Sequence, residues 1–279
     1  MTRSSAPRDV TGNGARRERG RTRGFVRSRM RRVTAAVHGA VLLLVALPGS
    51  AVAETVPRRI PADSTSLDRK WMPAFDYDGD GCYPSVAVGP DGTVNSGLDN
   101  SGALDGQCHD LSDLENSNVY ARSTSNHGWR AHVYDVYFQK DQAVPGFDVF
   151  GHRHDVEHVV VWVHEGRARY VSTSAHGEYD VHPASAVDWH EDTHAKVVYH
   201  KDGVGTHAFR LAGADEQPEN ELGRWHYPAL VSWERFPGDT RSVLSGADFG
   251  HAALAITDGA FRDNLAAAEP AGIPFDPYL

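Results

Sequence analysis

Gly151-His152-Arg153-His154-Asp155-Val156-Glu157 runs almost directly into Val159-Val160-Val161-Trp162-Val163. The second stretch is a β-branched run with no polar face, the pattern of a strand buried on both sides. The first places two imidazoles, a guanidinium and two carboxylates at its mouth. Such groups are costly to desolvate without a partner. The simplest partner is a hard divalent cation held by carboxylate oxygens, Mg²⁺ or Ca²⁺. In a regular strand Asp155 and Glu157 face one way and His152 and His154 the other. A shared site built from His152, Asp155 and Glu157 therefore needs a bend near residues 152–155, and Gly151 at the entry makes one plausible. Arg153 offsets the carboxylate charge or pairs with Asp141 or Asp148. The alternative is a salt-bridged strand entrance with no ligand.

The surrounding sequence extends the β pattern. Strand signals cover His132–Phe138, Arg169–Thr173, Lys196–Tyr199, His207–Leu211 and Ala229–Trp233, separated by Gly, Pro and Asp clusters. Helical signals are few. Ser66 is placed to cap a short helix from Leu67 that Pro73 ends, and Phe261–Ala268 reads as a second helix, with Phe261 and Leu265 one turn apart. The fold class expected is mainly β, a single-domain antiparallel sandwich with a few short surface helices.

The N-terminal part reads differently. Residues 1–29 are Arg-, Gly- and Ser-rich. Met30-Arg31-Arg32, the apolar run through Leu47, and Ala51-Val52-Ala53 have the anatomy of a secretory signal, too short to span a membrane. Met30 is a candidate start. Residues 1–53 are thus expected to be an extension plus a cleaved signal, and 54–279 the folded domain. Of 28 basic and 37 acidic residues, residues 1–53 carry 11 and 2; the remainder has 17 against 35, a formal balance of −18. A chain that acidic repels nucleic acid and attracts divalent cations. Cys82 and Cys108 in an exported chain read as one disulfide, two free thiols being the alternative.

Other motifs lead to weaker readings. Asp76-Tyr77-Asp78-Gly79-Asp80-Gly81 opens like a calcium loop, but Pro84 falls inside it and Ala87 stands where an EF-hand needs Glu; a looser calcium turn or a metal-free Asp/Gly turn remain. The histidine spacing departs from H-x-H-x-D-H zinc hydrolases. No G-x-S-x-G or phosphate-binding glycine loop is present.

The heptapeptide closely resembles G-H-R-H-D-W-E of the necrosis- and ethylene-inducing peptide-like proteins. Tyr137-Phe138-Gln139-Lys140-Asp141, Ser174-Ala175-His176-Gly177, Tyr199–Gly203 with Thr206–Phe209, and Asp248–Ala252 with Asp258–Phe261 resemble further segments of that family. The likeness covers about residues 67–270. It implies an actinoporin-like β-sandwich and a secreted, non-enzymatic cytolysin. Such proteins bind glycosylated sphingolipid of the plant plasma membrane and induce necrosis. It also implies a shared disulfide at Cys82 and Cys108. Carried over by position, Asp141 and Asp155 would be direct cation ligands. His152 and Glu157 would act through water or shape the cavity, and His154, Arg153, His176 and His207 would form its rim or meet the head group. The family usually has Trp where this chain has Val156. A monomer is expected. The competing readings are a non-toxic carbohydrate- or lipid-binding module, and a metal-dependent hydrolase using Asp155 or Glu157 as general base.

Overall fold

The computed structural model describes residues 55–279; the extension and signal expected within 1–53 lie outside the described residues. Two sheets face each other. The larger is built from β2 (Asn118–Asn126), β3 (Trp129–Asp141), β4 (His152–His164), β5 (Arg167–Ala175), β6 (Glu178–Pro183) and β10 (Ala229–Ser232), in the order β10-β2-β3-β4-β5-β6. The smaller is β1 (Ala74–Tyr77), β8 (His194–Lys201) and β7 (Trp189–His190), with β9 (His207–Leu211) also paired to β8. Pairing is antiparallel except at β1 with β8 and β10 with β2, which are parallel.

The apolar run of β4 decides this arrangement. Val159, Val161 and Val163 pack with Phe75, Tyr77, Val197, Tyr199 and Phe209 of the smaller sheet. Val160 and Trp162 point the opposite way, into a second core closed by Phe249, Ile256, Phe261, Leu265 and Phe275. The larger sheet is thus buried on both faces, as a strand without a polar face requires. The C-terminal helix (Phe261–Ala268) that helps close this second core falls where its spacing placed it. The first helix, α1 (Ser66–Trp71), starts one residue earlier than expected, because Thr65 rather than Ser66 caps it: Thr65 Oγ1 accepts from the Asp68 amide at 3.0 Å.

Cys82 and Cys108 form the disulfide, 26 residues apart. Closing that loop stabilises by about 3 kcal/mol through the unfolded chain. The bridge also fixes the segment holding Asp80 and Gly81, which lies against His207; a Cβ on Gly81 would come within 2.8 Å of that imidazole.

His226 anchors the partner side of β1. Its Nδ1 accepts from the Tyr77 hydroxyl at 3.1 Å and its ring bonds the Leu114 carbonyl. Burial first, then the nearby Arg224 charge, push this imidazole down to about 4. The unfolded chain therefore binds a proton below about 6.5 that the folded chain refuses until about 4, so stability is complete above that window and falls as pH drops through it. Urea unfolding between pH 7 and 4.5 should show a loss from this group of up to about 3 kcal/mol. His226→Gln should remove that part of the pH dependence; an unchanged pH profile would show that His226 is not its source.

Candidate functional site

The site forms where β4 breaks its pleat. Pairing between β3 and β4 runs on both sides of Gln139 and His154 but skips that pair, and His154 has φ +61°. A non-glycine residue in this region costs on the order of 1–2 kcal/mol and persists only when its surroundings impose it. Here Tyr137 Oη meets His154 Nδ1 at 2.7 Å, Phe249 packs edge-on against the ring, and Gly97 leaves room that a Cβ would remove, coming within 2.6 Å of the imidazole. The expected bend is therefore present, at His154. Gly151 contributes by close approach: a Cβ there would meet the Asp141 carbonyl at 2.6 Å.

The consequence is that His152 and Asp155 line one cavity together with Asp141 and Glu157. One ligand atom from each of Asp141, His152 and Asp155 lies within 4.8 Å of the others. Donors on opposite sides of a hard cation stand roughly 4.7 Å apart, so one ion can serve all three. Glu157 is outside this trio but on the same wall of a cavity of about 300 Å³, with Ser174, His176, Tyr179, Thr206 and His207.

Each acid is held by a donor from another strand. Asp141 accepts from the His207 amide at 2.8 Å and from His207 Nδ1 at 2.6 Å. Asp155 accepts from the Tyr199 hydroxyl at 2.9 Å, and Glu157 from the Ser174 hydroxyl. His152 Nδ1 lies 2.7 Å from the His154 carbonyl, which can only accept, so its Nε2 keeps the lone pair a cation needs. The donor set, two carboxylates and an imidazole with their supporting bonds, fits a divalent cation.

The electrostatics agree. Burial, then the Asp141 charge, raise the Asp155 carboxyl above the usual carboxylate range. Burial, then Asp155, push Glu157 up further against the opposing Ser174 bond. Burial alone would depress His207, but its hydrogen bond and attraction to Asp141, with Asp80 behind, raise it overall. The His207 Nε2 atom is buried without a hydrogen-bond partner among the described residues and stands 3.5 Å from Asp80 Oδ1.

The other sequence candidates separate. His176 and His207 line the cavity, His176 also meeting Asp202 at 3.0 Å. His154 and Arg153 do not line it. The His154 ring turns toward Tyr137 and Phe249, and Arg153 bonds the Ser96 and Gly97 carbonyls and pairs with Asp99, not with Asp141 or Asp148. Asp148 instead caps its own loop. The acidic turn at 76–81 is not a cage. Asp76 lies in β1 and is taken by Asn220, Asp78 lies 3.8 Å from Arg210, and Asp80 faces His207. Tyr199 and Ser174 open two of the segments that resemble the family, but their pairing with Asp155 and Glu157 is not readable from the sequence, because strand register brings them to the acids.

Residues 65–268 match the family described as Necrosis inducing protein (NPP1). The chain belongs to the necrosis-inducing protein family. It is 34% identical over 193 residues to NLP effector protein 10 of Phytophthora capsici, covering 67% of this chain and 76% of that one. Among solved structures it is similar to NLPPya in complex with mannosamine, with TM-score 0.63, 30% identity, and coverage of 78% of this chain and 97% of that one. A non-toxic member, HaNLP3, is equally similar in fold, at TM-score 0.65, 26% identity, and 78% and 99% coverage.

If the acids repel one another, removing one charge should help the cation-free fold. Asp155→Asn, measured by thermal unfolding in chelator at pH 8, should melt at the same temperature as wild type or a few degrees higher. A burial-only role would instead give the loss typical of a disrupted buried network, about 1–3 kcal/mol.

Proposed function

We propose that this chain is a secreted cytolysin that uses a divalent cation, Mg²⁺ or Ca²⁺, to bind the sugar head group of a plant glycosylated sphingolipid and damages the plasma membrane. The carrying observation is the Asp141–His152–Asp155 trio inside a cavity whose acids are all pre-oriented by hydrogen bonds. A cation there would neutralise the crowded carboxylates and keep coordination positions for sugar hydroxyls, which suit a hard cation. The family relationship supports the reading, as does the relative whose structure contains an amino sugar. Relatives are named as necrosis-inducing effectors rather than enzymes, which favours binding over turnover. Secretion rests on the signal anatomy of residues 30–53, and action as a monomer is part of the proposal. Among the described residues no helix is long and apolar enough to cross a membrane, so the contact proposed is peripheral.

A non-toxic binding module is the second reading. It is favoured by Val156, a cavity-lining residue where the heptapeptide of the family usually has Trp, and by the non-toxic relative of the same fold.

Two measurements test these readings. Millimolar Mg²⁺ or Ca²⁺ at about a hundred times its dissociation constant should raise the wild-type melting temperature by about 5–10 °C, and Asp155→Asn should not respond. Dye release from vesicles carrying the plant sphingolipid should need the cation and vanish in Asp155→Ala and Glu157→Ala, with circular dichroism unchanged. Unaltered release in both variants would sink the cytolysin mechanism. Cation and lipid binding without release would select the non-toxic module.

A further inference from the structure

The loop joining β3 to β4 exposes an apolar tip that the chain has gone to some length to hold rigid. Phe147, Val149 and Phe150 are 81%, 73% and 77% exposed, and Val144 is 46% exposed. Contiguous large apolar side chains in water mark a contact surface. The one charged residue among 142–151, Asp148, is fully buried. Its carboxylate accepts from the Val144 amide at 3.1 Å and the Phe150 amide at 2.9 Å, and also from the Ala143 amide.

The base of the loop is tied as firmly. Asn100 Nδ2 donates to the Gly151 carbonyl at 2.8 Å, and the Gly146 amide to the Gly102 carbonyl at 2.7 Å. Gln142 Nε2 donates to the Val144 and Gly146 carbonyls. Buried Lys140 donates to the Ala103 carbonyl and to Gln142 Oε1, both at 2.7 Å. Part of the loop backbone is therefore bonded to protein partners, while Phe147 and Phe150 lie mostly in water. Internal partners for its one acid and for the Ala143, Val144, Gly146, Asp148 and Phe150 amides lower the cost of moving such a loop into a less polar medium.

The loop leaves β3 at Asp141 and returns to β4 at His152, two of the three residues in the cation trio. A second segment, between Lys201 and His207, also leaves from the cavity and carries Val204 at 95% exposure. We propose that Phe147, Val149 and Phe150 form a preformed apolar anchor that enters the interfacial layer of the lipid bilayer while the adjoining cavity holds a head group. Apolar insertion also suits a chain whose net negative charge gives it no electrostatic attraction to an anionic bilayer. The inference rests on the membrane reading above and assigns its anchoring residues.

The test uses the mature chain and vesicles of phosphatidylcholine with the plant glycosylated sphingolipid. An environment-sensitive dye is placed at Val149→Cys, both native cysteines being paired. Vesicles should shift its emission to the blue, and quenchers near the head groups should reach it. Phe147→Ser/Phe150→Ser should partition onto the vesicles at least tenfold more weakly, while keeping the wild-type circular dichroism and cation-induced rise in melting temperature. Equal partitioning of that double variant, or a bound chain whose dye stays water-like, overturns the anchor and leaves the cytolysin reading standing. A wild-type dimer that the double variant converts to monomer, with vesicle binding unchanged, assigns the tip to self-association and also overturns it. Failure of the wild type to bind sphingolipid vesicles at all removes the membrane reading, and the anchor with it.

Discussion

The one constraint on which this site depends is the left-handed turn of a single residue, His154, inside a long strand. Without it, β4 would send His152 to one face and Asp155 to the other, and no common cavity would contain both. The chain secures the turn from three directions: a tyrosine hydroxyl from β3, an aromatic ring from the C-terminal cover, and a glycine that yields space. Backbone strain is thus maintained by packing on the second core, on the face of β4 opposite the first core. That division explains why the cover built from Phe249 to Phe275 matters to the site although few of its residues reach it.

Once the turn is made, acids crowd in a place with little water, and the fold must hold them there without neutralising them. It does so with donors rather than countercharges. Tyr199, Ser174 and the His207 amide are neutral groups that orient carboxylates and leave lone pairs unused, while the guanidinium closest in sequence, Arg153, is drawn off to Asp99. His207 is the exception, an imidazole whose affinity for a proton is raised by the acid it supports. A site compensated internally by arginine would have little use for a cation; a site supported by hydroxyls and amides keeps its demand for one.

Much of this was legible in the sequence, and what was not has a physical reason. The two-sided burial of β4, the helix at Phe261–Ala268 and the acid-rich entrance could be read because each depends on neighbours a few residues away. β2 and β6 were passed over because their sequences, Asn118–Asn126 and Glu178–Pro183, are polar through much of their length; pairing to a neighbour, not their own pattern, makes them strands. The partner of Arg153 is hidden from the sequence for a related reason. The acids nearest Arg153 in the chain are Asp155, Glu157 and Asp148, but the route to Asp99 exists only after the segment at 96–99 packs across β4. Hydroxyl support from Tyr199 and Ser174 is likewise a property of register between strands, which local spacing does not encode.

The same reasoning separates the two roles proposed for the heptapeptide and its preceding loop. The acids gain their force from exclusion of water, whereas the phenylalanines of the loop lie mostly in water. Both arrangements are unfavourable for an isolated protein, and both would be relieved by the surface proposed above, polyhydroxylated head groups over an apolar interior. A cation alone would quiet the cavity but not the loop, and an apolar protein partner would cover the loop but not call for the acids. On the proposed reading a glycosylated bilayer would satisfy the two together, because its sugar layer and its hydrocarbon edge are stacked a short distance apart. The connectivity that runs Asp141, loop, His152 places the two demands next to each other on one continuous stretch of chain.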